Sequence, residues 1–255
     1  MSTLQQNILR NKQNNLSVFF TAGFPTLEST QEILRILNDT AVDFIEIGIP
    51  FSDPLADGPV IQNSSKIALQ NGMTLQLLFA QLKEIKNTIT KPYLLMGYLN
   101  SLLACGLETF YRKCNECGVQ HIIIPDLPVN EYLNEHKPFA EKFDVSPVFL
   151  ITPGTSAKRI NEIDKISNAF IYLVSGNTTT GNDSEMQTET IKKIKSMKLN
   201  NPVIIGFGIR NSAGYSQACK LGNGAIIGSA FINVIANSKN LQKDIPQFIV
   251  QIKNV

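Results

Sequence analysis

Short runs of aliphatic and β-branched residues recur along the chain, and segments with a helical spacing of apolar residues lie between them. In these segments apolar residues are three or four positions apart, as at Ile33, Ile36 and Leu37, which predicts one buried helix face. The apolar runs predict eight strands, at residues 17–21, 42–47, 92–96, 119–124, 145–151, 169–174, 202–205 and 224–227. Strands that alternate with helices form parallel sheets through right-handed crossovers.

Eight β/α units in 255 residues favour the α/β class and a (β/α)8 TIM barrel, because an open doubly wound sheet usually has fewer strands. Further helical patterns at the N-terminus (3–12), after strand 2 (60–71 and 75–88) and at the C-terminus (241–253) predict extra helices. We expect these helices to close the bottom of the barrel and to decorate its top. No linker-like run divides the chain, so we expect a single TIM-barrel catalytic domain over residues 1–255.

The segment at the start of the second helical pattern can form a capping box. Residues 29–32 read Ser-Thr-Gln-Glu, and a hydroxyl residue followed three positions later by Glu can satisfy two backbone donors at a helix start.

The composition of the chain limits the kinds of partner that the protein is expected to bind. Hydrophobic residues make up 43% of the chain, enough for a sizeable core, and the net charge of +2 comes from scattered Lys and Arg. Without a basic stripe, nucleic-acid and membrane-surface binding are not expected. No apolar stretch approaches the roughly 20 residues needed to span a bilayer, and residues 1–10 lack an apolar signal core, so we expect a cytoplasmic protein with a small-molecule or protein partner.

The cysteine pattern predicts free thiols, with no metal site and no redox site. Cys114 and Cys117 fall at the C-terminal end of a helical pattern that Gly118 stops, whereas a reactive thiol pair needs the N-terminal end. A zinc site would need a second pair of ligands, and the chain has only two histidines, His121 and His136, to which we assign no role.

In a TIM barrel the active site lies at the C-terminal ends of the strands, so the residues just past each run are the candidates. These positions lack the desolvated Lys of a Schiff-base aldolase and the His cluster of a metal aldolase. The chemistry must therefore use carboxylates, hydroxyls and backbone donors.

Glu46 is the first candidate, because it lies inside an otherwise apolar strand. Alternation along the strand puts Glu46 on the face opposite Ile45 and Ile47, so we expect it to point into the mouth of the barrel. Burying an ionised Glu is costly or raises its pKa, and perturbed carboxylates cluster at functional sites. The alternative is a structural carboxylate that accepts hydrogen bonds from Tyr98 or Tyr172.

Asp57 is the second candidate and lies in a loop stiffened by proline and glycine shortly after that strand. Together with Glu46 it predicts an acid/base pair. The alternative for Asp57 is helix capping, because it precedes Gly58 and Pro59, and both interpretations can hold at once.

Glycine-containing turns at the last three strand ends predict a phosphate site. Residues 206–209 (Gly-Phe-Gly-Ile) let backbone amides approach an anion, Gly228 and Ser229 open a helix, and Gly181 ends the preceding loop. Helix N-termini and glycine-rich turns at these positions of a barrel favour phosphate.

Taken together, these motifs resemble the tryptophan synthase alpha chain family nearly from end to end. The stretch from Glu46 to Gln62 is similar to the family's signature, and residues 20–23 (Phe-Thr-Ala-Gly), 125–128 (Pro-Asp-Leu-Pro), 206–209 and 228–229 follow in the right order. The resemblance implies a lyase of tryptophan biosynthesis that cleaves indole-3-glycerol phosphate to indole and glyceraldehyde 3-phosphate. It also implies an alpha2-beta2 complex, no cofactor in this chain, and pyridoxal phosphate in the beta partner.

The same resemblance implies a role for each matching residue. Glu46 would be the general acid/base, and Asp57 would hold the indole N–H. Phe19 and Tyr98 would line the indole, and Tyr172 would line the pocket. The predicted contacts at the phosphate end of the substrate are Thr180, Gly181, Gly208, Gly228 and Ser229. Asp53, Asn100 and Pro128 would face the partner.

One loop departs from the family pattern. Residues 175–181 carry Thr178 where Gly is usual and Gly176 where some members have Arg, which implies slower or less complete closure of the loop. Two alternatives to the lyase therefore remain: a weakly active alpha subunit that mainly activates the beta chain, and another phosphate-binding barrel such as an isomerase.

Overall fold

The computed structural model describes residues 2–174, 194, 196–206 and 208–253. Nine strands form one parallel sheet in the order β5-β4-β3-β2-β1-β9-β8-β7-β6. The strands are β1 (Asn15–Thr21), β2 (Phe44–Gly48), β3 (Tyr93–Met96), β4 (His121–Ile123), β5 (Ser146–Val148), β6 (Leu150–Ile151), β7 (Ile171–Val174), β8 (Val203–Gly206) and β9 (Gly224–Ile227).

The sheet closes into a barrel through its fifth strand segment. β5 pairs with β4, and β6 pairs with β7, while only Phe149 separates β5 from β6. The carbonyl of Phe149 accepts a hydrogen bond from the Tyr172 backbone N–H at 3.0 Å, so pairing continues across the break. The predicted run at 145–151 is therefore one barrel strand in two parts, and the (β/α)8 TIM barrel is confirmed.

Helices surround the sheet, and the extra helices fall where the sequence predicts them. The helices are α1 (Thr3–Asn11), α2 (Ser29–Asn38), α3 (Pro59–Gln70), α4 (Leu75–Ile85), α5 (Leu99–Cys105), α6 (Leu107–Glu116), α7 (Val129–Glu131), a π-helical turn (Tyr132–His136), α8 (Lys137–Phe143), α9 (Ala157–Ile166), α10 (Ser212–Leu221), α11 (Ser229–Asn237) and α12 (Leu241–Lys253). Among the residues described, no helix is both long and apolar enough to cross a membrane.

The N-terminal helix closes the bottom of the barrel. Its apolar side chains Leu4 and Ile8 are buried. Gln5 Nε2 donates to Asn201 Oδ1 at 2.7 Å, just before β8 begins. At the opposite end, where the strands finish, the described residues leave a cavity.

The capping box predicted for α2 is wrong. The N-cap residue is Glu28, which makes no side-chain capping hydrogen bond. The hydroxyls of Ser29 and Thr30 instead accept hydrogen bonds from the backbone N–H groups of Thr26 and Gly23, at 3.2 and 2.8 Å. Both side chains are used to fix the loop that follows β1.

Alternation along the strands fills the barrel. Phe19 of β1 lies beside Glu46 of β2 in register, and both face the open end. Phe44, two residues before Glu46 and thus on the same face, packs against Phe170 with ring centroids 5.4 Å apart. These two buried aromatic rings fill the barrel interior beneath Glu46.

Candidate active site

A cavity of about 670 Å³, including space open to solvent, lies at the C-terminal ends of the strands. It is lined by residues of β1, β2, β3, β7 and β9, by residues that follow β2, β8 and β9, and by the first turns of α3 and α11. Predicted site residues that the structure brings together there are Phe19, Glu46, Asp57, Tyr172, Gly208, Gly228 and Ser229. The position is the one at which TIM-barrel enzymes place their chemistry.

Glu46 is a buried carboxyl group, and one of its two oxygen atoms has no hydrogen-bond partner among the described residues. Its side chain is 1% exposed, and its Oε2 atom has no partner among the described residues. Burial, and the negative charge of Asp57, raise the pKa of Glu46 to about 8. At neutral pH Glu46 therefore holds a proton that it can give to a ligand in the cavity.

The alternative, in which Glu46 is a structural carboxylate held by a tyrosine, is wrong for the described part of the chain. The Tyr98 hydroxyl donates to Asp57 Oδ2 at 3.0 Å, and the Tyr172 hydroxyl makes no hydrogen bond to Glu46. A buried carboxyl group left unpaired is expensive for folding, so its presence points to a use.

Asp57 is held at the end of the loop between β2 and α3. The Tyr98 hydroxyl, which donates to Asp57, accepts from the Ala56 backbone N–H at 3.0 Å. Gln62 Nε2 donates to the Asp57 carbonyl at 2.9 Å. Burial raises the pKa of Asp57 to about 6, and the Tyr98 hydrogen bond opposes that rise, so Asp57 is mostly ionised at neutral pH.

The capping alternative for Asp57 is wrong as well. Helix α3 has Gly58 as its N-cap and Pro59 at its first position, with no side-chain capping hydrogen bond. The carboxylate of Asp57 is therefore free to face the cavity.

The two aromatic walls of the cavity each lie against a glycine of the neighbouring strand. A Cβ atom at Gly48 would overlap the ring of Phe19, and one at Gly206 would overlap the ring of Tyr172. Tyr98 lies outside the main cavity, in a smaller adjoining pocket that also contains Asp57. The glycines make room for flat side chains to form a slot beside Glu46.

The far side of the cavity carries the predicted phosphate site. Gly208 has a φ of +75°, a conformation that glycine adopts at little cost. Gly228 precedes the first residue of α11, Ser229, so the helix N-terminus opens towards the cavity and favours an anion there. The remaining predicted contacts, Thr180 and Gly181, and the atypical loop 175–181 lie outside the described residues.

Sequence reasoning missed several lining residues. Met96 is the last residue of β3, Ile61 lies in the first turns of α3, and Arg210 follows Gly208 by two positions. Met96 and Ile61 carry no sequence signal that separates them from core residues. Arg210 does carry a signal, because it is a charged residue in the loop after a barrel strand.

The cysteines are free thiols, as predicted: Cys114, Cys117 and Cys219 are buried and Cys105 is half-buried. No cluster of three or more His, Cys, Asp or Glu side chains suited to a metal ion occurs within the described ranges.

Comparison with known proteins gives a consistent result. A family model described as the tryptophan synthase alpha chain matches residues 5–255. The tryptophan synthase alpha chain of Flavobacterium psychrophilum is 49% identical over 255 residues, covering 99% of this chain and 100% of the relative. That of Bacteroides fragilis is 46% identical over 248 residues, covering 96% and 94%.

A solved structure agrees with the sequence relatives. Tryptophan synthase subunit alpha from Legionella pneumophila str. Paris matches with a TM-score of 0.89 at 29% identity, covering 99% of this chain and 97% of that chain. Family model, relatives and fold together show that this chain belongs to the tryptophan synthase alpha chain family.

Proposed function

We propose that Glu46 and Asp57 carry out the lyase reaction of this family, the retro-aldol cleavage of indole-3-glycerol phosphate to indole and glyceraldehyde 3-phosphate. The observation that carries the proposal is Glu46 itself, buried, unpaired among the described residues, and facing the same cavity as Asp57. A protonated carboxyl group beside an ionised one is the arrangement that acid/base chemistry on one substrate requires.

The proton moves in a closed cycle. Glu46 gives its proton to indole C3, which makes the ring a cationic indolenine. The resulting carboxylate takes the proton of the C3′ hydroxyl, the bond between indole C3 and C3′ breaks, and its electrons neutralise the ring. The C3′ carbon becomes the aldehyde of glyceraldehyde 3-phosphate, and Glu46 ends the cycle protonated.

Asp57 stabilises the intermediate. Its ionised carboxylate accepts a hydrogen bond from the indole N–H and lies near the positive charge that forms on the ring. That positive charge also favours the ionised form of Glu46, so proton transfer to C3 makes Glu46 the base for the next step. The ring acts as its own electron sink, which fits a cavity without a lysine among its described lining residues.

The other contacts divide between the two ends of the substrate. Phe19 and Tyr98 would wall the indole, Tyr98 from the adjoining pocket that it shares with Phe19 and Asp57, and Tyr172 would line the main cavity. Gly208, Gly228 and Ser229 would bind the phosphate. Thr180 and Gly181 are proposed as phosphate-side contacts on the sequence resemblance alone.

The complete enzyme would be a carbon-oxygen lyase in which a beta chain carries pyridoxal phosphate and this chain carries no cofactor. We further propose an alpha2-beta2 assembly. Asp53 and Pro128 are exposed on the loops after β2 and β4, and Asn100 is exposed in the first turn of α5, the helix that follows β3. Leu55 is 92% exposed between Asp53 and Asp57. A partner that covers these residues would remove the apolar Leu55 side chain from water, which favours association.

The experiment that tests this function is indole formation from indole-3-glycerol phosphate by the purified chain, with and without a beta chain. We expect indole release by the chain alone and faster release in the complex. Strong stimulation of the beta reaction with negligible indole would instead favour an activating subunit. Binding of other sugar phosphates with no competition from an indole-bearing phosphate would favour an isomerase.

A further inference from the structure

Arg210 lies at the side of the cavity opposite the two carboxylates, and none of the roles above uses it. It lines the cavity together with Gly208 and Ser229. In the strand order β2-β1-β9-β8, Glu46 belongs to β2 and Arg210 follows β8, so three strand spacings, about 14 Å along the sheet, separate the two strands.

Arg210 lies between a buried residue and the start of a helix. On one side Ile209 is buried. On the other side Asn211 is the N-cap of α10 and accepts a hydrogen bond from the Gly214 N–H at 3.0 Å. The side chain of Arg210 is exposed and lines the cavity.

Among the described residues, the guanidinium group of Arg210 has no charged partner. It takes part in none of the ion pairs between described residues, and among the described lining residues it is the single cationic side chain. Arg stays charged across the working pH range, and its planar donors bind phosphate oxygens through two parallel hydrogen bonds.

The charges of the cavity are therefore separated. Carboxyl groups lie at the β2 side, whereas the cation and the N-terminus of α11 lie at the β8 and β9 side. An elongated ligand with an anionic group at one end is attracted in one orientation and repelled in the other.

We propose that Arg210 binds the phosphate group of the substrate and determines in which direction the substrate enters the cavity. This inference rests on the proposed function. It adds a charged side chain to a phosphate site otherwise built from glycine amides and Ser229, and it makes Arg210 a residue for affinity and specificity that leaves the chemical step to Glu46 and Asp57.

The test compares two substitutions. Arg210→Gln removes the positive charge, whereas Arg210→Lys keeps the charge but removes the planar group that can donate two parallel hydrogen bonds. Arg10→Gln is the matched control, because Arg10 is an exposed arginine on α1 at the bottom of the barrel. Each protein is assayed with indole-3-glycerol phosphate and with indole-3-glycerol, and its binding of inorganic phosphate is measured by calorimetry.

We expect Arg210→Gln to raise KM for the phosphorylated substrate about 10-fold, the typical effect of one charge-assisted hydrogen bond at a partly exposed site, with little change in kcat. Arg210→Lys should fall between wild type and Arg210→Gln. With indole-3-glycerol the wild type and Arg210→Gln should perform equally, and Arg10→Gln should match the wild type throughout.

Equal losses on both substrates would mean that Arg210 acts on the structure and would overturn the proposal, as would an unchanged KM for the phosphorylated substrate in an active enzyme. If the wild type cleaves neither substrate, the proposed function fails, yet the phosphate titration still decides about Arg210. A weaker affinity for inorganic phosphate in Arg210→Gln supports its role, and an unchanged affinity contradicts it.

Discussion

Glu46 and Asp57 differ in protonation at neutral pH although both are carboxyl groups facing one cavity. Burial dominates for Glu46, whose pKa rises to about 8, and the charge of Asp57 adds to that rise. Asp57 is raised only to about 6, because the Tyr98 hydroxyl stabilises its ionised form. The different surroundings of the two carboxyl groups therefore keep Glu46 protonated and Asp57 ionised.

This difference predicts a bell-shaped pH profile. We expect kcat/KM for indole-3-glycerol phosphate to rise through about pH 6 as Asp57 ionises and to fall through about pH 8 as Glu46 loses its proton. The two groups interact, so the limbs report the pair. In Tyr98→Phe the acid limb should move to higher pH, because the hydrogen bond that lowers the Asp57 pKa is gone.

Steady-state rates from pH 5 to pH 9 check this prediction for both proteins. A flat wild-type profile over that range, or an acid limb that Tyr98→Phe leaves in place, would refute the assignment of the pair.

At the scale of single residues, the sequence predicted which way the Glu46 side chain points but not which side chains form hydrogen bonds with each other. Strand alternation was enough to point Glu46 into the barrel, because a period of two is imposed by backbone geometry. The hydrogen bond from Tyr98 to Asp57 joins residues 41 positions apart, and no local pattern encodes it. The alternatives for both carboxylates could therefore be decided only in three dimensions.

At the scale of elements, the walls of the cavity depend on pairs formed between neighbouring strands. The ring of Phe19 on β1 packs against Gly48 of β2, and the ring of Tyr172 on β7 packs against Gly206 of β8. In each pair the ring occupies the space that a side chain would fill on the next strand. The glycines are thus part of the site without touching a ligand.

We expect Gly48→Ala and Gly206→Ala each to lower kcat/KM about 10-fold or more, because the new methyl group displaces a wall ring in a packed barrel, a change that typically costs about 1–3 kcal/mol. The matched control is Gly154→Ala, where the nearest atom to the new methyl would be Thr152 Oγ1 at 3.9 Å.

Kinetics and thermal unfolding of the three variants provide the measurement. If Gly206→Ala and Gly48→Ala behave like Gly154→Ala in both assays, the rings move without consequence and the packing argument does not hold.

Helices and strands differ in how well the sequence predicted them. The extra helices followed from apolar spacing, because that spacing records which face is buried. The break at Phe149 and the use of Ser29 and Thr30 by the loop after β1 could not be predicted, since both depend on hydrogen bonds to distant or non-helical backbone.

For the whole molecule, the buried Glu46 lowers stability by an amount that depends on pH. Its pKa of about 8 in the native state exceeds the value of 4.5 expected when it is exposed, so the native state holds more protons than the unfolded state between these values. The unfolding free energy must therefore decrease as pH rises through this range.

We predict that Glu46→Gln makes the protein more stable than the wild type at pH 8 and reduces the loss of stability between pH 6 and pH 8. The effect should amount to a few kcal/mol at most, because water can reach the cavity. Asp57 contributes in the same direction, but mainly below pH 6.

Urea unfolding of both proteins at pH 6, 7 and 8 measures the difference. If the stability of wild type and of Glu46→Gln changes in the same way with pH, Glu46 has an ordinary pKa and the prediction is wrong.

The architecture of the whole molecule was the part most accessible from the sequence. Eight strand runs that alternate with helices favour a barrel, because an open doubly wound sheet usually has fewer strands. Arg210 shows the limit of the same reasoning. Its position after β8 could be predicted from the sequence, but its presence in one cavity with Ser229 depends on how β8 and β9 pair.

The central claim is that Glu46 transfers the proton, and the most direct test is the rate of indole release from indole-3-glycerol phosphate by Glu46→Gln beside the wild type. Gln has nearly the same size as Glu but neither gives nor takes a proton. We predict a loss in kcat of at least about 100-fold, with KM and the folded state retained. A variant that keeps most of the wild-type turnover would contradict this account.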